Sequence, residues 1–227
     1  MPVVSSPMDD PQAIATARTA GAPALTRSKL PACMLAFYAV FWAALAISPL
    51  DRTDWLLENL LVFAGVAWLV WRHRSHPLSN ASYAFITVFF CLHTIGSHYT
   101  YSETPIGFWI SDLAGLERNH YDRIVHFSFG LLMCYPLQEV IARTAQPKGG
   151  WPLAFAVMVV CTFSLAYETI EWAVAAVVSP DAAMAFLGTQ GDDFDAQKDG
   201  ALAALGSIIT AAAIHFIHTR RSSGTPG

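Results

Sequence analysis

Apolar residues along this chain fall into six long runs separated by short polar stretches. Each run is close to the roughly 20 residues that a helix needs to cross a ~30 Å hydrocarbon core at ~1.5 Å per residue. The pattern therefore predicts an all-α fold, a polytopic membrane helix bundle with about six transmembrane helices. The predicted spans are residues 30–48, 55–71, 82–98, 123–141, 151–178 and 199–217. The fifth run is the longest, so we expect that helix to tilt or to bend at one end.

The composition also favours a membrane environment. Hydrophobic residues make up 54% of the 227 residues and charged residues only 13%, against roughly 25% charged residues in soluble domains. Residues 1–29 are rich in Ala, Pro, Ser and Thr and lack an apolar run, so we expect a disordered cytoplasmic tail. Residues 30–218 form the predicted six-helix transmembrane domain, and residues 219–227 a second cytoplasmic tail. The net charge of −4 without a basic stripe argues against nucleic acid and leaves membrane lipid as the expected partner.

The basic residues predict how the chain crosses the membrane. With a cytoplasmic N-terminus, nine of the 13 Lys and Arg residues lie on the inner side and four on the outer side, so both termini are expected in the cytoplasm. The carboxylates have the opposite distribution, since 14 of the 17 lie on the outer side. Acidic residues contribute little to topology. We therefore take their clustering as a sign of a functional site.

Acidic and histidine side chains from several predicted spans converge at this outer side. Asp122 and His126 are spaced i, i+4 at the start of the fourth span. Glu168 and Glu171 are spaced i, i+3 towards the end of the fifth span, so each pair lies on one helix face. Three further acids precede or open the sixth span and share a face if that stretch is helical; they are Asp192, Asp195 and Asp199.

Either protonation or a bound cation could hold so many acids together, because ionisable groups in a span normally face a partner or a cavity. Carboxylate with imidazole suits Zn, Mn or Fe, and carboxylate alone suits Mg or Ca. We therefore expect a divalent metal ion of unspecified identity. Its candidate ligands are Glu168, Glu171, Asp122, His126, Asp192, Asp195 and Asp199. The candidate catalytic residues are His126, Asp122 and, from the third span, His98, with the histidines as acid–base groups.

Simpler interpretations stay open at several of these positions. Asp122 could cap the fourth helix, and Asp192 or Asp193 could cap the sixth. The stretch from Asp193 is not a calcium loop, because Lys198 stands where such a loop needs Gly. For the whole protein, two functions compete with a membrane-embedded metal-dependent enzyme that acts on a lipid or cell-envelope precursor. One is a small transporter that uses the acids as a proton or cation relay. The other is a structural or partner-binding membrane protein.

Three segments of the chain resemble the YjdF-type family of bacterial inner-membrane proteins, in order and with matching spacing over roughly residues 35–217. The segments are Asn119-His120-Tyr121-Asp122-Arg123-x-x-His126-Phe127, Tyr167-Glu168-x-x-Glu171-Trp172 and Gly188-Thr189-Gln190-Gly191-Asp192-x-x-Asp195-x-Gln197-x-Asp199. This resemblance implies a helical, multi-pass protein of the bacterial inner membrane and does not name a reaction. The Asp-basic-x-x-His-Phe start of the fourth span is also similar to VanZ-like membrane proteins. That likeness implies a role in the cell envelope, although Ala203 stands where VanZ-like proteins often have Asn.

Overall fold

The computed structural model describes residues 28–178, 183 and 186–223, with side chains up to residue 220. Over these residues the protein is all-helical and contains no strand. The helices are α1 (Leu30–Leu45), α2 (Arg52–Ser75), α3 (Asn80–His98), α4 (Pro105–Ala114), α5 (Tyr121–Thr144), α6 (Trp151–Ala175) and α7 (Asp195–Ser223). The predicted tail at 1–29 lies outside the described residues except for its last two, and so do residues 224–227 of the second predicted tail.

Four of the described helices are long and apolar enough to cross a membrane; they are α2, α5, α6 and α7. Helix α1 is apolar but has only 16 residues. Helix α3 has 19 residues but carries buried polar side chains such as Ser82, Thr94 and Ser97. The predicted number of about six spans is therefore not confirmed. Helix α6 ends at Ala175, before the end of the predicted fifth run.

Helix α5 occupies the centre of the bundle and packs against α3, α6 and α7, while α1 and α2 pack against α3. The contact between α5 and α7 is the closest, because glycines let the two backbones touch. A Cβ atom on Gly130 would overlap the backbone oxygen of Ala203, and one on Gly206 would overlap that of Phe127. Small residues at a crossing are typical of membrane helices, where van der Waals contact drives association. This crossing fixes the start of α7 beside the start of α5.

Large apolar side chains cover much of the outside of the bundle. Val40, Leu165 and Trp172 are 73%, 69% and 68% exposed. Many buried side chains are instead polar or charged, including Glu58, Asn59, Asn119 and Asp199. Apolar groups outside and polar groups inside suit a protein that is surrounded by lipid, where polar atoms must find partners within the protein.

The two ends of the bundle differ in charge. At one end, which we call the acidic end, α2, α5 and α7 begin and α3 and α6 end. The predicted site lies at this end. The other is the basic end, where Arg72, Arg74 and Arg143 lie. Helix α4, which the apolar pattern did not predict, lies between the end of α3 and the start of α5. It is fastened to the loop before α5 by a hydrogen bond from Ser111 Oγ to the Arg118 carbonyl oxygen (2.6 Å).

Candidate metal centre

Two ionisable side chains near the start of α5 lie against each other. His126 follows Asp122 by one turn, and its Nε2 is 3.5 Å from Asp122 Oδ1. Asp122 is not the cap of this helix. The cap position is His120, which makes no side-chain cap bond, and Asn119 Oδ1 instead accepts the Tyr121 N–H at 3.0 Å. The Asp122 carboxylate is therefore available to the site.

Asp199, on the second turn of α7, completes a group of three potential metal ligands. One ligand atom from each of Asp122, His126 and Asp199 lies within 4.8 Å of the other two. Asp199 is only 1% exposed, and its Oδ1 is buried without a hydrogen-bond partner. The structure thus brings together three of the seven predicted ligands at one point between α5 and α7.

Glu168 and Glu171 of α6 approach this group from the other side. Glu168 Oε1 lies 3.3 Å from His126 Nε2, so this nitrogen has a carboxylate on each side. Glu168 therefore belongs to the same cluster as His126. Glu171 follows three residues later on α6 and lies on the same helix face as Glu168.

Asp192 and Asp195 were predicted as ligands, but the structure places them in an ion-pair layer at the start of α7. Arg118 Nη1 is 2.7 Å from Asp195 Oδ1, and Arg123 binds both acids. Lys198 Nζ lies 2.6 Å from Asp192 Oδ2, and this bond lowers the pKa of Asp192 well below its usual range. Asp192 Oδ1 also accepts the Phe194 N–H at 3.1 Å, which is a turn interaction just before the helix.

Three basic side chains of the acidic end are thus occupied outside the metal-ligand group. Arg118, Arg123 and Lys198 all pair with Asp192 or Asp195. Within the described residues, neither Glu168 nor Asp199 forms an ion pair with a lysine or an arginine. Like charges at short range repel more strongly in a protein interior than in water. A proton or a cation must therefore offset these acids.

Glu58 of α2 is a further buried acid of the site, which the sequence analysis did not single out. It is 3% exposed, and its Oε2 accepts a hydrogen bond from the Tyr167 hydroxyl group. The Tyr167 ring packs edge-on against His126, with ring centroids 6.1 Å apart. A signal was present in the sequence, because Glu58 is an ionisable residue inside the apolar run 55–71.

His93 links Glu58 to the loop after α3. Its Nε2 is 3.1 Å from the backbone oxygen of Glu58, and its Nδ1 is 2.6 Å from the Tyr101 hydroxyl oxygen. A carbonyl oxygen only accepts hydrogen bonds, so Nε2 carries the hydrogen and Nδ1 accepts from Tyr101. Both ring nitrogens are therefore used in hydrogen bonds, which fits a packed core histidine.

His98, the third predicted catalytic residue, lies at the junction of α1 and α3. Its Nδ1 is 2.7 Å from the Leu45 backbone oxygen, and its own backbone oxygen accepts the Leu50 N–H at 3.0 Å. Among the described residues, no hydrogen bond or ion pair connects His98 to Asp122, His126 or Glu168. The structure therefore does not bring His98 into the group around His126.

Comparison with known proteins identifies a family that the chain matches, but no matching solved structure. A family model described as "Predicted membrane protein (DUF2238)" matches residues 30–220. The protein named "Inner membrane protein YjdF" from Escherichia coli (strain K12) is 36% identical over 176 residues, which cover 77% of this chain and 84% of that protein. No solved structure matches the chain. The VanZ-like resemblance has no counterpart among these findings.

Proposed function

The chain belongs to the DUF2238 family of predicted membrane proteins, and we propose that it binds a divalent cation between α5, α6 and α7 at the acidic end. The proposed ligands are Asp122, His126 and Asp199, with Glu168 as a fourth ligand or as a base beside the cation. Glu171, one turn further along α6, would add a second carboxyl group beside Glu168. Asp192 and Asp195 hold the ion-pair layer that fixes the start of α7.

The main support for this proposal is the environment of the Asp199 carboxylate. A buried acceptor without a hydrogen bond costs roughly 1–3 kcal/mol, and more if it is charged. Asp199 Oδ1 is such an acceptor, and it belongs to a group whose ligand atoms lie within 4.8 Å of one another. A metal ion is smaller than a water molecule and carries the opposite charge to the acids. It would therefore supply both the missing partner and the missing positive charge.

The donor set limits the choice of metal. One imidazole with two or three carboxylates suits Zn, Mn or Fe better than Mg or Ca, which favour oxygen ligands alone. Catalytic metal sites commonly use three protein ligands and leave one position for water or substrate. Asp122, His126 and Asp199 would supply those three ligands.

The chemistry that fits such a site is activation of water, or polarisation of a phosphate or carbonyl group. Glu168 would then act as the general base, since it lies 3.3 Å from the proposed ligand nitrogen of His126. By location, the substrate would be a lipid or a cell-envelope precursor. The VanZ-like sequence resemblance points in the same direction.

We further propose that the protein resides in the bacterial inner membrane with both termini in the cytoplasm. The name of the Escherichia coli relative and the apolar helices support the membrane assignment. The nine-to-four distribution of Lys and Arg supports the orientation. In this orientation the acidic end, and with it the cation site, faces away from the cytoplasm.

Metal analysis of the purified protein tests the proposal. The full chain is purified in detergent without chelators, and bound Zn, Mn, Fe, Mg and Ca are measured by mass spectrometry and normalised to protein. We expect about one ion per chain in the unmodified protein and in Asp112→Asn, which changes an exposed acid of α4. Asp199→Asn and His126→Ala should lose the ion.

Two results would overturn the proposal. One is the absence of a bound metal together with no binding of added Mn²⁺ or Zn²⁺ by calorimetry. The other is a bound metal that survives both Asp199→Asn and His126→Ala. Either result would leave the proton relay and the structural role as the remaining functions for the acids.

A further inference from the structure

Helix α4 packs one of its faces against the protein. This face contains Gly107 and Ser111, which are spaced i, i+4 and are both buried. A Cβ atom on Gly107 would overlap Asn119 Oδ1, so α4 lies directly against the loop before α5. The hydrogen bond of Ser111 to the same loop fixes how the helix is rotated about its axis. The opposite side of α4 is therefore turned away from the bundle.

Three large apolar side chains on that opposite side form what we call the α4 stripe. They are Ile106, Trp109 and Leu113, whose spacing of i, i+3 and i+7 places them along one side of a helix. In the described part of the chain they are 48%, 62% and 70% exposed. Asp112, which is also exposed, lies about 60° around the helix from Trp109 and borders the stripe. The outer side of α4 thus has an apolar part and an acidic edge.

Two exposed tryptophans of α6 indicate where the membrane boundaries lie. Trp151 begins this helix at the basic end and Trp172 is in its last turn at the acidic end; they are 58% and 68% exposed. They are separated by 21 positions, or ~32 Å along a helix, which is close to the ~30 Å of the hydrocarbon core. Tryptophan is enriched at both membrane–water interfaces. The interface of the acidic end is therefore expected near Trp172.

Helix α4 lies at the same end of the bundle, because it joins the end of α3 to the start of α5. With 10 residues it is ~15 Å long and too short to cross the hydrocarbon core. Phe194, just before α7, is a further exposed aromatic residue of this end, at 65%. Trp109, Trp172 and Phe194 thus come from three different segments, as in the aromatic belts of membrane proteins. The α4 stripe continues this belt, which favours lipid as its partner.

We propose that α4 is an interfacial helix, which lies along the membrane surface at the acidic end and inserts the α4 stripe into the lipid. Helices of this kind bury their apolar face by roughly 5–10 Å at the boundary between head groups and acyl chains. Asp112 would then point towards the head groups and water. The proposal does not depend on the cation site. It would bring the lipid head groups to within about one helical turn, ~6 Å, of Glu168, which precedes Trp172 by four positions.

Spin labels on the full chain in lipid vesicles test this placement. The four native cysteines are replaced by alanine, and single cysteines are introduced by Trp109→Cys, Leu113→Cys or Asp112→Cys. The vesicles contain phosphatidylethanolamine and phosphatidylglycerol. Collisions of each label with oxygen, which concentrates in lipid, and with a water-soluble nickel chelate are measured by electron paramagnetic resonance. Phe163→Cys, in the middle of α6 and 57% exposed, is the lipid reference, and Lys148→Cys, in an exposed loop, is the water reference.

We expect the ratio of oxygen to nickel collisions at Trp109 and Leu113 to lie between the two references. The ratio should be severalfold higher at these positions than at Asp112, which should resemble Lys148. Equal ratios at all three α4 positions would overturn the proposal. So would strong dipolar broadening between labels at Leu113, because it would show that a second copy of the chain covers the stripe.

A second measurement covers the case in which the protein without its native cysteines does not fold. Tryptophan fluorescence of the unmodified chain is recorded in vesicles of brominated phosphatidylcholine, and the signal that Trp109→Phe removes is assigned to Trp109. Bromine near the head-group end of the acyl chains should quench this signal more than bromine near the methyl end. Trp55→Phe is the control, because Trp55 is only 5% exposed and its signal should resist quenching. Equal resistance of the Trp109 signal would contradict its insertion into lipid.

Discussion

The Nε2 atom of His126 lies 3.3 Å from Glu168 Oε1 on α6 and 3.5 Å from Asp122 Oδ1 on its own helix. One imidazole nitrogen can donate a proton to a carboxylate or offer its lone pair to a cation, but it cannot do both. Binding of a cation at Nε2 would therefore replace the contacts of this nitrogen with the two carboxyl groups and free Glu168 to act as a ligand or a base. The same contact gives the first prediction.

Glu168→Gln should weaken cation binding by about 10- to 100-fold, the range found when groups that support metal ligands are removed. The amide keeps the shape of the side chain but loses its negative charge and its basicity. The affinity for Mn²⁺ or Zn²⁺ is measured by calorimetry on the detergent-purified protein. Glu117→Gln is the control, since this residue is an exposed acid in the loop before α5. An unchanged affinity in Glu168→Gln would remove Glu168 from the site.

The hydrogen bond from Tyr167 to Glu58 should stabilise the fold and couple the two residues. Tyr167→Phe leaves a buried carboxyl group without its donor, which should lower the free energy of unfolding by about 1–3 kcal/mol. In Glu58→Gln the loss caused by Tyr167→Phe should differ from the loss in the unmodified protein, because the acceptor of the Tyr167 hydrogen bond has changed. Thermal unfolding of the two single variants and the double variant measures this coupling.

Tyr135→Phe is the control for this cycle. Its hydroxyl group makes no hydrogen bond among the described residues, and its ring packs edge-on against Phe85. Removing that hydroxyl should change the melting temperature little. Additive losses from Tyr167→Phe and Glu58→Gln would show that the two side chains do not interact in the folded protein.

Sequence periodicity predicted the helical bundle and two pairs of site residues. The spacing of Asp122 and His126 places them on one face of α5, as the sequence indicated. The approach of Glu168 to His126 was also expected in outline, because α5 begins and α6 ends on the same side of the bundle. Local spacing and topology determine such contacts, so these contacts can be predicted from the sequence alone.

Other features depended on pairings that a linear sequence does not reveal. Asp192 and Asp195 were expected to be metal ligands. They instead pair with Arg118, in the loop before α5, and with Arg123, in the first turn of α5. Only the close crossing of α5 and α7 makes these ion pairs possible. Glu58 was overlooked because α2 reads as an apolar span, and its partner Tyr167 lies more than 100 positions away in the chain.

The ion pairs of Asp192 predict how the stability of the folded protein changes with pH. The pKa of Asp192 is lowered in the folded state, chiefly by Lys198, so its ionised form favours folding. That contribution is complete above the unfolded pKa of roughly 3.9 and is lost as the pH falls through the lower folded value. Asp192→Asn should thus melt at a lower temperature than the unmodified protein at pH 6, and the difference should shrink below pH ~4.

Asp193→Asn is the control for this experiment, because Asp193 is its exposed neighbour. The deficit of Asp192→Asn should also shrink at high salt, which screens exposed charges. Melting curves at several pH values and salt concentrations provide the measurement. A deficit that is independent of pH would contradict the role of the charge.

The orientation of the chain can be tested with reporter fusions. Fusions after residues 75, 146 and 222 should report a cytoplasmic location, and a fusion after residue 110, within α4, should report the outside. The reason is the nine-to-four excess of Lys and Arg on the predicted inner side. A cytoplasmic signal at residue 110 would place the acidic end, and the proposed cation site, on the other face of the membrane.

Asp199→Asn should change stability in opposite directions with and without the cation. In the metal-free protein, the substitution removes one buried negative charge from beside Asp122, so the variant should melt at a higher temperature than the unmodified protein. With a cation at 100 times its dissociation constant, the unmodified protein should gain about 2.7 kcal/mol, or about 5–11 °C for a chain of this length. The variant should gain little. Melting curves with chelator and with Mn²⁺ or Zn²⁺ measure both effects, and Asp112→Asn should follow the unmodified protein. If chelator and metal leave the unmodified protein unchanged, Asp199 is neutralised by a proton and not by a metal.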